Sequence, residues 1–338
     1  MNILLTGGLG YIGSHTAIVL AQAGHRLVLF DNLSNSSHAM PGKLESITGK
    51  PFVFVSGDVR DTELLHQTLR AYSIEAVIHF AGLKVVGESL TIPLEYYANN
   101  VQGTISLLQA MREAGARMLV FSSSANVYGE PRYLPVDEVH PTGGVTNPYG
   151  RSKLHVEEIL ADLSRSDPDW RIVCLRYFNP VGAHESGLIG DDPGGFPNNL
   201  MPYIARVAAG QLKELQVFGN DYPTPDGTGV RDFIHVMDLA EGHACAVDYL
   251  SGNTGWQAIN LGTGQGYSVL EMIRAFEVAS GRPVAYRIAP RRPGDSASCY
   301  ANPDKAKTLL NWSARRSLAE MCVSTWKFQH GMRTAAAI

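Results

Sequence analysis

Cysteine is scarce in this chain: Cys174, Cys245, Cys299 and Cys322 are the four among 338 residues, and none has CxxC spacing. Neither a zinc site nor a disulfide framework is indicated, and a reducing compartment, the cytoplasm, is expected. No apolar run approaches the ~20 residues that cross a bilayer, and no cationic lead with a cleavable apolar core opens the chain. A soluble, unexported protein with no membrane partner is expected. The net charge is only −4 with both signs scattered, so there is no basic block for nucleic acid and no acidic tail. Internal repeats are also missing. What remains as a partner is a small molecule.

The chain is rich in short apolar runs that alternate with helical patterns. Runs at 3–5, 26–30, 52–55, 76–81, 118–122 and 171–176 are separated by helix-like stretches such as 11–23, 62–72 and 94–114. Strands of Val, Ile and Phe each followed by a helix predict an α/β fold, a Rossmann-type doubly wound parallel sheet covered on both faces. At this length a smaller mixed α/β substrate-binding domain is expected beside it. The first domain is predicted over 1–180 with returns at about 233–262, and the second, discontinuous, over 181–338.

The first run passes directly into Gly7, Gly10 and Gly13, spaced three apart, and then into a helix beginning near Tyr11 and Ile12. Strand, glycine turn and helix in this order suit a dinucleotide pyrophosphate: a tight turn, close backbone approach, and a helix N-terminus with free N–H donors and partial positive charge. The second run ends in Asp31, eighteen residues after Gly13, where a carboxylate accepts from a ribose hydroxyl and repels a 2′-phosphate. This favours NAD over NADP; the plain alternative is that Asp31 and Asn32 start a turn.

In a parallel sheet, ligands gather beyond the carboxyl ends of the strands. Asp58 and Val59 follow the third strand, and Phe80, Ala81, Gly82 and Lys84 follow the fourth, so both segments border the cofactor. Asp58 suits either an adenine contact or the carboxylate capping expected near Asp61. Asn99 and Asn100 are poor helix formers inside 94–114, which suits either a polar contact toward the cofactor or a surface position. The fifth strand ends in Ser122, Ser123 and Ser124. A helix then begins near Tyr149, placing Lys153 one turn on, with the two stems ~5–6 Å apart on one face. A free tyrosine titrates near pH 10, so service as a base needs about 4 kcal/mol of help. An ammonium ~4 Å away at an effective dielectric of ~20 supplies about that much before desolvation opposes it, and an oxidised nicotinamide adds a second positive charge.

TGGLGYIG at 6–13, SSSANVYG at 122–129 and YGRSK at 149–153 together resemble the extended short-chain dehydrogenase/reductase family. HFAGLKVVGES at 79–89, LRYFNPVGA at 175–183, PNNLMP at 197–202, FGNDY at 218–222, GTGVRD at 227–232 and RRPGD at 291–295 narrow this to its nucleotide-sugar 4-epimerases, over nearly the whole chain. The resemblance implies a tightly held NAD used catalytically, UDP-hexose substrates, interconversion of UDP-glucose with UDP-galactose, and homodimers through the helices at 94–114 and 149–163. It implies that Tyr149 takes the 4-hydroxyl proton, that Ser124 bonds the same oxygen, and that Lys153 holds phenolate and nicotinamide ribose. It adds Asn35, Ser36, Tyr177 and Phe178 to the cofactor shell. For the substrate it implies Lys84, Phe178, Asn179, Asn199, Leu200, Gln216, Val217, Phe218, Arg231, Phe233, Arg292, Asp295 and Cys299, with Arg231 and Arg292 on the diphosphate. Phe233 and Cys299 both stand where tyrosine is common. The thiol opens space beside the sugar and implies activity on UDP-GlcNAc and UDP-GalNAc. The rival readings are a nucleotide-sugar dehydratase or decarboxylase, which keep an acid beside the serine where this chain has Ala125 and Asn126, and a cofactor-sensing regulator, which would have lost part of the Ser, Tyr, Lys set.

Overall fold

The structure is a computed structural model that describes residues 1–193, 195–292 and 294–336. In chain order the first half contains β1 (Asn2–Thr6), α1 (Tyr11–Gln22), β2 (Arg26–Asp31), α2 (Met40–Thr48), β3 (Val53–Ser56), α3 (Thr62–Ala71), β4 (Ala76–His79), α4 (Val86–Ser89), α5 (Pro93–Tyr96), α6 (Gly103–Ala114) and β5 (Met118–Ser124). A single 3-10 turn and a long loop lead to α7 (Pro148–Ser166), β6 (Arg171–Tyr177), β7 (Asn179–Val181), α8 (Leu200–Ala208), β8 (Leu215–Phe218), β9 (Val230–His235), α9 (Val236–Gly252) and β10 (Gly255–Leu261). The remainder is β11 (Gly266–Ser268), α10 (Val269–Ser280), β12 (Tyr286–Ala289), β13 (Ser298–Cys299), α11 (Asp304–Leu310) and α12 (Leu318–Ala336).

Seven strands form one parallel sheet in the order β10-β6-β5-β4-β1-β2-β3. Its central strands are largely apolar because both faces are covered. Ile3 and Leu5 point into a core with Ile18 and Leu239, while Leu4 between them points into a second core with Leu65, Leu107 and Leu160. Each side chain so buried contributes roughly 1.5–3 kcal/mol. The order of connection reverses between β1 and β4, which opens a crevice at their carboxyl ends, the place where doubly wound sheets bind ligands.

The segment from Pro93 to Ala114 is not one regular helix. Between α5 and α6 it widens into a π-helical stretch, Tyr97–Gln102. Asn100 sits there, buried, with its amide donating to the Leu83 carbonyl (2.9 Å) and accepting from the Leu83 N–H (2.8 Å). The asparagine therefore serves the loop after β4, and a locally wide turn is a common device where a helix serves a site.

A smaller region is assembled from β9 with β7, β11 and β13, from β8 paired with β12, and from α8, α10 and α12 around Ile204, Phe233, Met272 and Phe276. The chain returns to the large sheet through α9 and β10, the latter pairing with β6. It returns again through Ala306, Leu310 and Trp312, which join the core beneath α1 and α9. Among the described residues no helix is long and apolar enough to cross a membrane, and no cluster of side chains is suited to a metal ion.

Candidate active site

At the crevice, β1 ends in a turn that only glycine fits. Gly7 lies at φ +67°, and a Cβ on it would sit 2.6 Å from the Ala81 nitrogen in the loop after β4. A Cβ on Gly13 would sit 2.4 Å from the Gly7 carbonyl oxygen, so α1 can approach β1 only without one. Gly10 is the N-cap of α1 and offers no side chain to its N–H groups, and the first turn holds no acid. Asp31, at the tip of β2, is buried and already accepts from the Leu9 N–H (3.1 Å), the Leu33 N–H (2.9 Å) and the Ser36 hydroxyl (2.9 Å). One acceptor position remains on Oδ2. Asp31 therefore builds its turn and still presents a carboxylate edge to the cradle.

Asn32 donates to Asp58 (3.2 Å), while Asn35 is exposed on the same loop. Asp58 is held mainly by Arg60, whose guanidinium forms a two-pronged pair at 2.9 and 2.8 Å and drives the carboxyl far below its usual range. Asp61, not Asp58, caps α3 by accepting from Leu64. Val59 is buried against Gly103. The geometry is a glycine-floored groove with a helix N-terminus at its centre and a buried acid at one end, and these residues fit a dinucleotide.

The chemistry-bearing residues meet at the end of β5. Ser124 is its last residue and lies in register with Tyr177 of β6. Its hydroxyl accepts from the Asn126 main chain (3.2 Å) and amide (3.0 Å), so its own proton is free to be donated. Asn147 caps α7 and Pro148 starts it, which sets Tyr149 and Lys153 on the turn facing Ser124. The Tyr149 phenol bonds to Ser124. Lys153 is 5% exposed, donates to the Ser122 carbonyl (2.7 Å), and stands 4.8 Å over the Phe121 ring. Burial drives its pKa from 10.5 down to about 8, with Cys174 and Glu157 pulling the other way.

Burial raises the Tyr149 phenol, and the bond from Ser124 opposes that rise. Positive charge in the groove opposes the rise that burial imposes on this phenol.

Behind these residues runs a buried polar network in which the sequence pointed to Asn99, Asn100 and the serine run but not to Glu157, Arg176 or Asn260. Asn100 also donates to the Ser152 hydroxyl (2.9 Å), tying α7 to the loop after β4. Asn99 donates to Asn100 (3.0 Å). Glu157, one turn beyond Lys153, binds Arg176 of β6 through 2.6 and 3.0 Å contacts and accepts from Ser123. Arg176 donates to the Tyr128 hydroxyl (2.9 Å), which donates to Asn260 (2.7 Å). The one available signal was spacing, because Tyr149, Lys153 and Glu157 recur every four residues.

The smaller region supplies the outer wall. Pairing of β13 with β9 brings Cys299 into register with Arg231, and β7 brings Asn179 beside Phe233. Burial pushes the Cys299 thiol up to about 11, so it is neutral. Arg292 stacks 4.7 Å over Phe218 and pairs with Asp295 at 2.9 Å. Lys84 lies 5.9 Å over the Tyr11 ring and 3.9 Å from Asp191, which also accepts from Asn199 (3.2 Å). Tyr177 and Phe178 are buried at the end of β6, Leu200 starts α8, and Gln216 is partly exposed. Val217 and Phe233 place their side chains in the smaller core, away from the crevice floor built by β1 and β5.

Residues 3–262 match the NAD dependent epimerase/dehydratase family. The UDP-glucose 4-epimerase of Bacillus subtilis (strain 168) is 57% identical over 329 residues, 97% of each chain. The crystal structure of UDP-glucose-4-epimerase from Stenotrophomonas maltophila, with bound NAD and formylated UDP-arabinopyranose, superposes with TM-score 0.97 at 52% identity over 99% of both chains. That of UDP-glucose 4-epimerase from Bifidobacterium longum, in complex with NAD+ and UDP, gives TM-score 0.95 at 53% identity over 98% of both.

Proposed function

The chain belongs to the NAD dependent epimerase/dehydratase family, and from that premise we propose that it is a UDP-glucose 4-epimerase, an isomerase interconverting UDP-glucose and UDP-galactose on a tightly held NAD. The observation that carries this reading is the meeting of Ser124, Tyr149 and Lys153 at the sheet edge beside the glycine cradle. NAD supplies, when bound, a reversible acceptor for the C4 hydride and a positive charge within the site. The chain's own residues handle the proton and the geometry. Tyr149 Oη takes the proton of the 4-hydroxyl and later returns it, and the Ser124 hydroxyl donates to the same sugar oxygen. Lys153 favours phenolate over phenol by its charge. The 4-keto sugar turns over before reprotonation, so one stereocentre inverts without net redox change.

Arg231 and Arg292 hold the diphosphate with charge-assisted bonds, and Phe218 stacks on the base. The neighbours of the serine argue against elimination or decarboxylation. Asn126 is spent on holding the Ser124 hydroxyl, and Ala125 carries no acid to protonate a leaving group. Cys299 leaves room for a 2-acetamido group, so UDP-GlcNAc and UDP-GalNAc are further substrates. Galactose metabolism in the cytoplasm is the setting this activity implies.

A second copy of the chain is the occupant we assign to the open groove between the π-helical turn and α7, about 740 Å³ and lined by Tyr97, Ala98, Val101, His155 and Ile159 together with Gln102, Glu158 and Asp162. A Tyr97→Arg variant that still sediments as a dimer would reject that assignment. For the activity, purified protein given UDP-galactose with no added NAD is expected to yield UDP-glucose. Tyr149→Phe is expected to lose roughly 10²–10⁴ in rate. A stable keto sugar as product, or no turnover even with NAD supplied, would overturn the proposal.

A further inference from the structure

A buried histidine that no step above uses lies against the cofactor shell. His243 is on α9, in the segment that returns to the large sheet, and it is fully buried. Its Nδ1 is 2.8 Å from the Leu239 carbonyl oxygen one turn earlier. A carbonyl only accepts, so the proton of the neutral ring is on Nδ1 and Nε2 is left as an acceptor. The partner of Nε2 is the hydroxyl of Tyr177, also buried, at the end of β6. The ring is neutral, because burial lowers its pKa to about 4.

The direction of this bond has a consequence for Tyr177. With its one proton directed at His243, the phenol can only accept on its other side. The Ser122 side chain also interacts with this phenol and uses part of that capacity. Tyr177 is in register with Ser124 and close enough to Tyr149 for their charges to interact, so its oxygen borders the reacting centre. The His243 ring is also fixed from the side by Phe80, 4.9 Å away between centroids. Phe80 belongs to the loop that abuts Gly7. An oxygen locked as an acceptor at this place suits a donor-bearing ligand group. Of the two N–H-bearing ends of a dinucleotide, the adenine amine belongs at the Asp31 and Asp58 end of the groove, so beside Ser124 the donor is the nicotinamide carboxamide.

We propose that His243 is a positioning residue for the cofactor: by accepting the Tyr177 hydroxyl's hydrogen bond it holds the Tyr177 oxygen as an acceptor for the carboxamide N–H of the nicotinamide. This rests on the reading of the groove as an NAD site. Loss of the lock lets Tyr177 turn its proton toward the carboxamide, replacing an attraction by a donor-donor contact.

The test is a double-mutant cycle on the rate at which NAD is lost from the purified holoenzyme during dialysis, with far-UV circular dichroism as the check on folding. His243→Phe keeps the packing on Phe80 and removes the acceptor. It is expected to lose NAD about tenfold faster than wild type, the scale of one hydrogen bond. Tyr177→Phe is expected to do the same, and the double variant is expected to add less than about twofold to either single one. His243→Gln, which restores an acceptor oxygen, is expected to fall within about twofold of wild type. The inference is overturned if His243→Phe retains NAD like wild type, if its effect is as large in the Tyr177→Phe background, or if His243→Gln is as poor as His243→Phe. Should His243→Phe not fold, Tyr177→Phe is compared with His243→Gln, and equal rates of NAD loss from those two would overturn the inference. Wild-type protein that holds no NAD at all would sink the proposed function along with it.

Discussion

Lys153 is a charge kept in the site against the interest of the fold, and the size of that conflict can be worked out. Its pKa falls from 10.5 to about 8, chiefly because burial removes water from the ammonium. At about 1.4 kcal/mol per pH unit, holding the charge costs about 3 kcal/mol at neutral pH. Lys153→Met, nearly the same length and apolar, removes that cost but leaves the Ser122 carbonyl without its donor, a loss of about 1 kcal/mol. The net expectation for protein freed of nucleotide is a gain of about 2 kcal/mol near neutrality. At ~2–4 °C per kcal/mol, a value for somewhat smaller chains, the melting temperature should rise by about 4 °C while epimerase activity collapses.

The pH dependence supplies the sign. Between about pH 8 and pH 10.5 the unfolded chain keeps the lysine proton and the folded chain has released it, so wild-type stability rises with pH through that window. The advantage of Lys153→Met should therefore shrink across it and vanish near its upper end. Paired thermal melts of the two proteins over this range are the assay. A variant that melts at or below wild type at neutral pH, or a gap that ignores pH, would refute the reasoning.

Three further outcomes are expected. Glu157→Gln leaves the buried Arg176 guanidinium without its counter-charge and should cost roughly 3–5 kcal/mol in denaturant unfolding, whereas exposed Glu158→Gln should cost almost nothing. Gly13→Ala drives a methyl to within 2.4 Å of the Gly7 carbonyl, so α1 must back away from β1 and the purified protein should carry little NAD, read from nucleotide released on denaturation. Cys299→Tyr should leave UDP-galactose turnover largely intact while cutting turnover of UDP-GalNAc, and equal N-acetyl turnover in both proteins would refute the pocket argument.

Local order was legible in the sequence because it follows from local chemistry. Apolar runs long enough to be buried on both faces mark the parallel strands, glycine spacing marks a turn and a close approach, and a four-residue interval puts Tyr149 and Lys153 on one side of a helix. What a linear pattern does not carry is direction. The spacing of Tyr149 and Lys153 says that ammonium and phenol share a face, but only the packing of α7 on β5 turns the ammonium toward the Ser122 carbonyl and leaves the phenol raised by burial. The same holds for residues contributed across long separations. Asn100 reaches the loop after β4, Arg176 meets Glu157, and His243 meets Tyr177 only because the sheet closes and α9 returns to it. Periodicity placed Asp31 and the serines at the sheet edge by itself. Which of their protons and charges face one another was decided by the tertiary structure, since a buried polar group takes the partner that close packing brings within bonding distance.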